Sequence, residues 1–338
     1  MKLIRSCVLA VSLLGLLVLP AGRPAEGAQL QKLKITQAVE ALQFMVLYVA
    51  RANGYLTEEG YDPEVTVTAG GGPEVQALIA KEVDFAATGA PINFFSADRG
   101  KPVVAVHSLL SRSILNVVLR KDVAQARGIT PDSPMEAKLK ALKGLTVGVT
   151  RPGSLSHMVG TYFVLRAGLK PQEDTKLLAI GGGDAMMASL ASGKIDAFVF
   201  SSPIPETSVK RGDAIMLINN AAGEYPPLRE YAQNYLCVRP EFLVENPEAV
   251  RKVVRALTRA NRWVSETPPP QIAAAIQRFF PGINPDVLET TVGVVKHAVR
   301  PDGIITERSI EVAQEVAIES GLLKAKIPIN QLINNSFH

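Results

Sequence analysis

The sequence predicts an α/β protein of two lobes, each a doubly wound and mostly parallel sheet, with a helical extension towards the C-terminal end. Three observations predict it. Strand-like apolar runs alternate with helix-like runs from residue 33 to residue 239, the pattern of parallel sheets flanked by helices. Landmarks also recur at a long, nearly fixed interval. Residues 69–91 read AGGGPEVQALIAKEVDFAATGAP and residues 180–203 read IGGGDAMMASLASGKIDAFVFSSP; Asp84 and Asp196, Pro91 and Pro203, and Leu33 and Leu145 are each 112 residues apart, and Gly54 and Gly168 are 114 apart. Solenoid repeats run about 20–50 residues, so this period indicates a duplicated half-domain; chance likeness between two βαβ units is the plainer alternative. From Asn246 onward, finally, the pattern is helical.

Taken in order, LKITQA (33–38) is the first strand. FMVLYVARAN (44–53) is a helix with Val46, Val49 and Ala50 on one face and Gly54 at its C-terminal cap. PEVTVTA is the second strand. Pro73 then opens a helix, with Glu74 at its positive end and Val75, Leu78 and Ile79 as the buried stripe. VDFAATG is a third strand, followed by the runs PVVAVHSLL and SILNVVLRK on either side of Ser111-Arg112-Ser113. Residues 121–144 read as a polar connection with one short helix, EAKLKAL. The order then restarts: strand LTVGVT, a helix over 156–167, strand TKLLAIG, a helix over 184–192 capped by Asp184, and strand IDAFVFS. AIMLIN and NYLCVR are further strands. NPEAVRKVVRALTRANRWVSE puts Val250, Val253, Val254 and Leu257 on one face; the prolines at 268–270 end it, and helices over 271–280, 285–298 and 306–320 follow.

At 338 residues, 47% hydrophobic and 20% charged, the chain has the length and the apolar content for two globular lobes. MKLIRSCVLAVSLLGLLVLP sets Lys2 and Arg5 before an apolar run that is too short to span a bilayer. With the small-residue stretch Ala25-Glu26-Gly27-Ala28 it reads as a secretory signal over residues 1–28, rather than an uncleaved anchor; Leu19-Pro20-Ala21 is a second cleavage option. Its removal leaves 33 basic residues against 31 acidic ones, a net charge of about +2 in place of +4, and no basic stripe is visible, which argues against a nucleic-acid partner. Cys237 is then the one cysteine left, so no internal disulfide is available, and the NYLCV run buries the thiol.

Two lobes with facing strand ends enclose a cleft, and ligands of open α/β sheets sit beyond the carboxyl ends of the strands. The loops that land there are 37–44, 69–73, 88–91, 150–157, 180–184 and 200–203. Each triple glycine falls at a strand end before a helix, where backbone N–H groups can face an anion. That makes Gly71 and Gly72 candidates on one wall, and Gly183 with Asp184 candidates on the other. RPGSLSH (151–157) is the sharpest signal. Pro152 and Gly153 turn the chain, Ser154 or Ser156 caps the helix, and free N–H groups with two hydroxyls suit carboxylate or sulfonate oxygens; plain helix capping accounts for the same serines. Arg151 either supplies charge or points to solvent, the commoner fate of an arginine. His157 either donates to ligand or is structural. Gln43 is a hydrogen-bonding candidate or an ordinary amide, and Phe44 either stacks on an apolar ligand part or opens the helix core. Asp84 and Asp196 each precede a buried strand and suit turn or cap roles, and Met186-Met187 reads as core. No HExxH, CxxC, GxSxG or P-loop sequence occurs, GGGPEV and GGGDAM are not GxGxxG, and no Cys/His cluster is present, so no catalytic residue, cofactor or metal is expected.

LYVARANGYLTEEGYDPEV, VDFAATGAPINFFSADRGKPVVAV, LKGLTVGVTRPGSLSHMVGTYFVLRAGLKPQED and MASLASGKIDAFVFSSP together resemble the periplasmic solute-binding proteins of ABC importers, in the nitrate/sulfonate/taurine and thiamine-pyrimidine-precursor group, over about residues 30–265. The resemblance implies the two-lobe periplasmic-binding-protein-like fold (type II), with crossovers near 106–118 and 233–239. One lobe would hold 29–110 and 240–338, the other 111–239. It implies ligand contacts from Gln37 to Phe44, from the triple-glycine loop, from Thr88, Gly89 and Ala90, and from RPGSLSH. Many such proteins carry an acidic or polar residue before the proline matching Pro203; this chain has Ser201 and Ser202 there, which tells against a cationic ligand group. The fungal pyrimidine synthases resemble this fold too, but their cysteine-rich motif has no counterpart. The function implied is capture of a small, anionic or polar organic solute in the periplasm, by a monomer that closes on it and delivers it to an inner-membrane ABC permease. An enzyme on the same fold, a menaquinone-pathway-like lyase or a pyrimidine-synthase-like protein with His157 as the suspect residue, is the alternative from another class; a sensory ligand-binding domain is a third.

Overall fold

The computed structural model describes residues 29–338, so the expected leader, residues 1–28, lies outside the described residues. The first half runs β1 (Gln31–Gln37), α1 (Met45–Ala52), α2 (Tyr55–Glu58), β2 (Tyr61–Val67), α3 (Pro73–Ile79), β3 (Phe85–Gly89), α4 (Ala90–Asp98) and β4 (Val104–Leu110). The second runs β5 (Leu115–Arg120), α5 (Lys121–Ala126), α6 (Met135–Lys140), β6 (Thr146–Val149), α7 (Leu155–Arg166), β7 (Lys176–Ala179), α8 (Gly183–Ala191), β8 (Ala197–Ser201), α9 (Ile204–Arg211) and β9 (Ala214–Ile218). After β10 (Asn234–Val238) come α10 (Pro240–Glu245), α11 (Pro247–Glu266), α12 (Pro269–Ile276), α13 (Pro285–Val295) and α14 (Glu307–Glu319).

The two sheets have the orders β2-β1-β3-β10-β4 and β7-β6-β8-β5-β9. In each, the strand in the fourth place has crossed from the other lobe and runs antiparallel to both neighbours, β10 between β3 and β4 and β5 between β8 and β9. The remaining strands form the parallel framework that alternating strands and helices lead one to expect. The duplication is visible in register. Ile35 pairs with Phe85 and Val147 with Ala197, and both members are offset by 112. Asp84 accepts the N–H of Lys34 at 3.0 Å and Asp196 that of Thr146 at 2.9 Å, the same turn-fixing bond at the same place in each sheet.

Gly54 takes φ = +74° after the end of α1, the left-handed C-terminal cap that only glycine adopts freely. Five helices depart from the sequence expectation: α2, α4, α5, α9 and α10 stand where loops or bare connections are expected. Six of the nine α4 residues are buried, among them Ile92 and Phe94, so no polar face marks a helical period. A further correction concerns α8, whose cap residue is Gly182; Asp184 lies in the first turn and caps nothing. The second crossover spans 219–233, because Asn234–Val238 is already strand. Val250, Val253, Val254 and Leu257 of α11 are buried against α1 and α2, while α14 lies against both α4 and α7 and α13 against α9, so the C-terminal helices brace both lobes. Cys237 is fully buried in β10, which pushes its thiol up, and Met186 and Met187 are core.

Candidate functional site

The strand ends of the two sheets meet at the N-terminus of α7. After β6 the chain turns through Thr150 to Gly153, where φ = +76°. Ser154 is the cap residue: its Oγ accepts the His157 N–H at 3.3 Å, one of the orphan donors of the first turn. Thr150 Oγ1 donates to Ser154 Oγ at 2.8 Å, and Ser156 Oγ accepts the Thr150 N–H at 2.9 Å. Ser156 Oγ also lies 3.0 Å from Thr150 Oγ1 and 3.2 Å from Ser154 Oγ. With the Thr150 hydrogen given to Ser154, the other two contacts can close a ring in which Ser154 donates to Ser156 and Ser156 to Thr150; turning the Ser156 hydrogen out of that ring frees one O–H for a guest, beside the positive end of a 12-residue helix.

These hydroxyls line a cavity of about 30 Å³ between the lobes. Ser201 and Phe200, from the end of β8, extend the same wall. The facing wall is Ala38, Val39, Gly71, Gly89 and Ile92, with Gln43 at its edge. No titratable side chain lines it. The lobes are in contact around this space. Leu42 N–H donates to Ser202 O at 2.8 Å, the Ser201 hydroxyl to Gln43 Oε1, and Arg151 Nη2 to Thr68 O at 3.3 Å.

Of the residues the sequence singles out, the cavity brings together Gln43, Gly71, Gly89, Ser154, Ser156 and Ser201. The others lie elsewhere. Phe44 is fully buried core, the second of its two readings. The buried Thr88 spends its hydroxyl on Glu74 Oε1 at 2.5 Å. Ser202 turns its hydroxyl to Glu206 at 2.7 Å. His157 Nδ1 accepts the Gly153 N–H at 3.3 Å, and burial holds its pKa below the usual histidine range: it is a loop fastener. Arg151 is exposed, the second of its two readings, with its side chain lying over Gly70 of the opposite lobe, where a Cβ would stand 2.8 Å from its Nε. Gly72 and Gly153 line one hollow beside the cavity, and Gly183 and Asp184 line another together with Ala69 of the first glycine loop.

Glu74 takes one donor of the first glycine loop. Its Oε2 accepts the Gly72 N–H at 2.7 Å, so that N–H is already held by a carboxyl from its own helix; burial pushes that carboxyl up, against the lowering effect of the Thr88 and Gly72 hydrogen bonds. Gly183 is required by packing rather than by ligand approach, since a Cβ there would stand 2.6 Å from Ile204 Cδ1. Sequence reasoning misses Thr150, Leu155, Phe200, Ala38 and Val39, though all fall within loops it selects; Ile92 and Leu115 carry no local signal. It also misses Glu206, three residues after Pro203. That carboxyl is pushed up by burial and accepts from Ser202 and Asn116 through Oε1, while Oε2 has no partner among the described residues.

A family model described as the NMT1-like family matches residues 30–278. YtlA of Bacillus subtilis (strain 168), a candidate binding protein by its name, is 26% identical over 311 residues, covering 90% of this chain and 88% of that protein. The 4-amino-5-hydroxymethyl-2-methylpyrimidine phosphate synthase THI12 of Saccharomyces cerevisiae is 26% identical over 66% of this chain and 63% of its own length. Among solved structures, a protein of Bordetella bronchiseptica RB50 superposes with TM-score 0.77 at 22% identity, covering 90% and 95% of the two chains. The alkanesulfonate-binding protein SsuA of Xanthomonas axonopodis pv. citri, bound to MOPS, gives 0.70 at 17%, covering 94% and 100%. At these identities the superpositions establish the two-lobe fold.

Proposed function

The chain belongs to the NMT1-like family, and on that premise we propose that it is an exported solute-binding protein, which captures one small solute between its lobes and presents it to the permease of an ABC importer. One observation carries the reading: both lobes line a common cavity that sets four hydroxyls, of Thr150, Ser154, Ser156 and Ser201, among apolar surface and holds no titratable side chain. Such a lining can bind and orient, through hydroxyls, helix N–H groups and an apolar wall, but it offers no general acid, base or thiolate. The solute head that fits is small and rich in oxygen acceptors, a carboxylate or sulfonate, seated against Thr150, Ser154 and Ser156. Closure follows from the solute bridging both walls, which favours the closed state by the difference in its affinity for the two states.

Native mass spectrometry of protein purified without refolding tests this reading, with thermal-shift titration of the solute so identified. The expected result is one solute per chain, unchanged after incubation, and a loss of about 0.5–1.5 kcal/mol of affinity in Ser156→Ala. Recovery of a chemically altered solute, or a cytoplasmic protein with an intact N-terminus, would instead favour an enzyme like the synthase relatives.

A further inference from the structure

The cavity at the α7 N-terminus holds only a few atoms, but it adjoins larger spaces. Gly71 and Ile92, which line it, also line a hollow of about 510 Å³ between the same lobes; Val39 is shared with a second hollow, of about 380 Å³, on the other side. The two hollows have opposite electrostatic character. The larger carries Arg99 and Lys101 at its rim with Asp98, and none of the three has an ion-pair partner among the described residues. The smaller carries Glu40 and Asp184 and no basic side chain. Between the rim cations and the shared residues, the larger hollow is floored by Val75, Ile79, Phe95 and Leu322, of which Phe95, Ile79 and Leu322 keep part of their apolar surface uncovered.

Resting on the reading of the central cavity as the solute's head site, we propose that the solute is elongated: its apolar body runs out along Ile92, Ile79 and Phe95, and a second acidic group at its far end meets Arg99 and Lys101. An acidic tail is turned away from the other hollow by Glu40 and Asp184, so charge sets the direction in which the solute lies. Because the two cations are exposed, their attraction is modest and screened by salt, and it acts chiefly on selectivity.

Isothermal titration with adipate, suberate and sebacate, each against hexanoate, octanoate or decanoate of matching length, tests this in the wild type and in Arg99→Ala/Lys101→Ala, Glu40→Ala and Ser156→Ala. The diacids are expected to bind more tightly than the matching monoacids. The double variant should lose about three- to tenfold in affinity for the diacids and nothing for the monoacids, with added salt acting in the same direction, and Glu40→Ala, which lifts repulsion from the other hollow, should not weaken the diacids. Equal binding of the two series, an equal loss for both in the double variant, or no binding by any of the six overturns the proposal. Monoacid binding that depends on Ser156 without any preference for diacids leaves the head site standing and removes the tail. A diacid preference that depends on Arg99 and Lys101 but not on Ser156 keeps the rim contact and overturns the joined head-and-tail arrangement.

Discussion

Gly89→Ala separates closure from folding. Gly89 ends β3 with φ = −87° and ψ = 153°, a conformation in which alanine is at ease. A Cβ there would lie 3.1 Å from Leu155 Cβ and 3.3 Å from its Cδ2, closer than ordinary contact, and Leu155 belongs to the opposite lobe. Crowding a well-packed contact by one methyl costs about 1–3 kcal/mol. When the lobes part the clash disappears, so this cost falls on the closed state alone. At 1.4 kcal/mol per factor of ten, the closed-to-open ratio falls by about five- to hundredfold. The fold itself gains slightly, by about 0.4–1 kcal/mol, because alanine restricts the unfolded chain. Small-angle scattering should therefore report a larger radius of gyration for the variant, while the urea midpoint holds or rises. Leu155→Gly in the same chain should restore closure. A variant with unchanged scattering, or one whose urea stability drops by the full 1–3 kcal/mol, would refute the assignment of this contact to the seam.

In Gly183→Ala the new Cβ, 2.6 Å from Ile204 Cδ1, clashes within one lobe, so urea denaturation should show a loss of about 1–3 kcal/mol, partly relieved by Ile204→Val, with solute affinity unchanged. Glu224→Ala should cost about 3 kcal/mol by leaving the Lys138 ammonium, buried under α6, without its partner, whereas Lys138→Met should be nearly neutral; equal losses in the two melts would contradict this. His107, in β4, is fully buried, its Nδ1 without a partner among the described residues, and burial pushes its pKa down from 6.5 to about 3. The unfolded chain therefore binds the proton first, so its contribution is intact above pH 6.5 and is lost by up to about 1.4 kcal/mol per pH unit as pH falls towards 3. His338 and His157 shift the same way, so His107→Asn should remove one proton's share of that slope in urea titrations at stepped pH, and an unchanged slope would count against it.

The fold was legible because its information is repeated and local. Strand runs, turn glycines and the 112-residue offset all survive as residue patterns, and both sheets follow them. What sequence could not supply was direction. Arg151 and His157 stand in the loop that the sequence marks most strongly, yet one reaches over Gly70 of the other lobe and the other folds back onto Gly153. Thr88 lies at the expected strand end with its hydroxyl turned inward to Glu74. Such choices are made by partners distant in sequence, and Glu74 reads as an ordinary acidic residue in a helix's first turn until Thr88 and Gly72 are seen to enclose it.

The same offset explains why the cavity has two unlike walls. Subtracting 112 carries Thr150, Ser154 and Ser156 onto Ala38, Leu42 and Phe44, and Ser201 onto Gly89. One copy of the strand–loop–helix unit thus presents hydroxyls where the other presents methyl groups, a ring turned into the core and a bare glycine. The backbone contacts behind them are kept: Ile92 stands beside Gly71 as Ile204 stands beside Gly183, again 112 apart. The glycine loops diverge as well, for Glu74, which fills the first loop, is matched at the same offset of 112 by Met186, a buried core side chain. Had the two copies stayed alike, the seam would hold two equal hydroxyl clusters or none. It would then select for a symmetric polar guest or a wholly apolar one. Divergence within a kept frame gathers the hydroxyls on one wall only, which is what orients a solute polar at its head and apolar along its body.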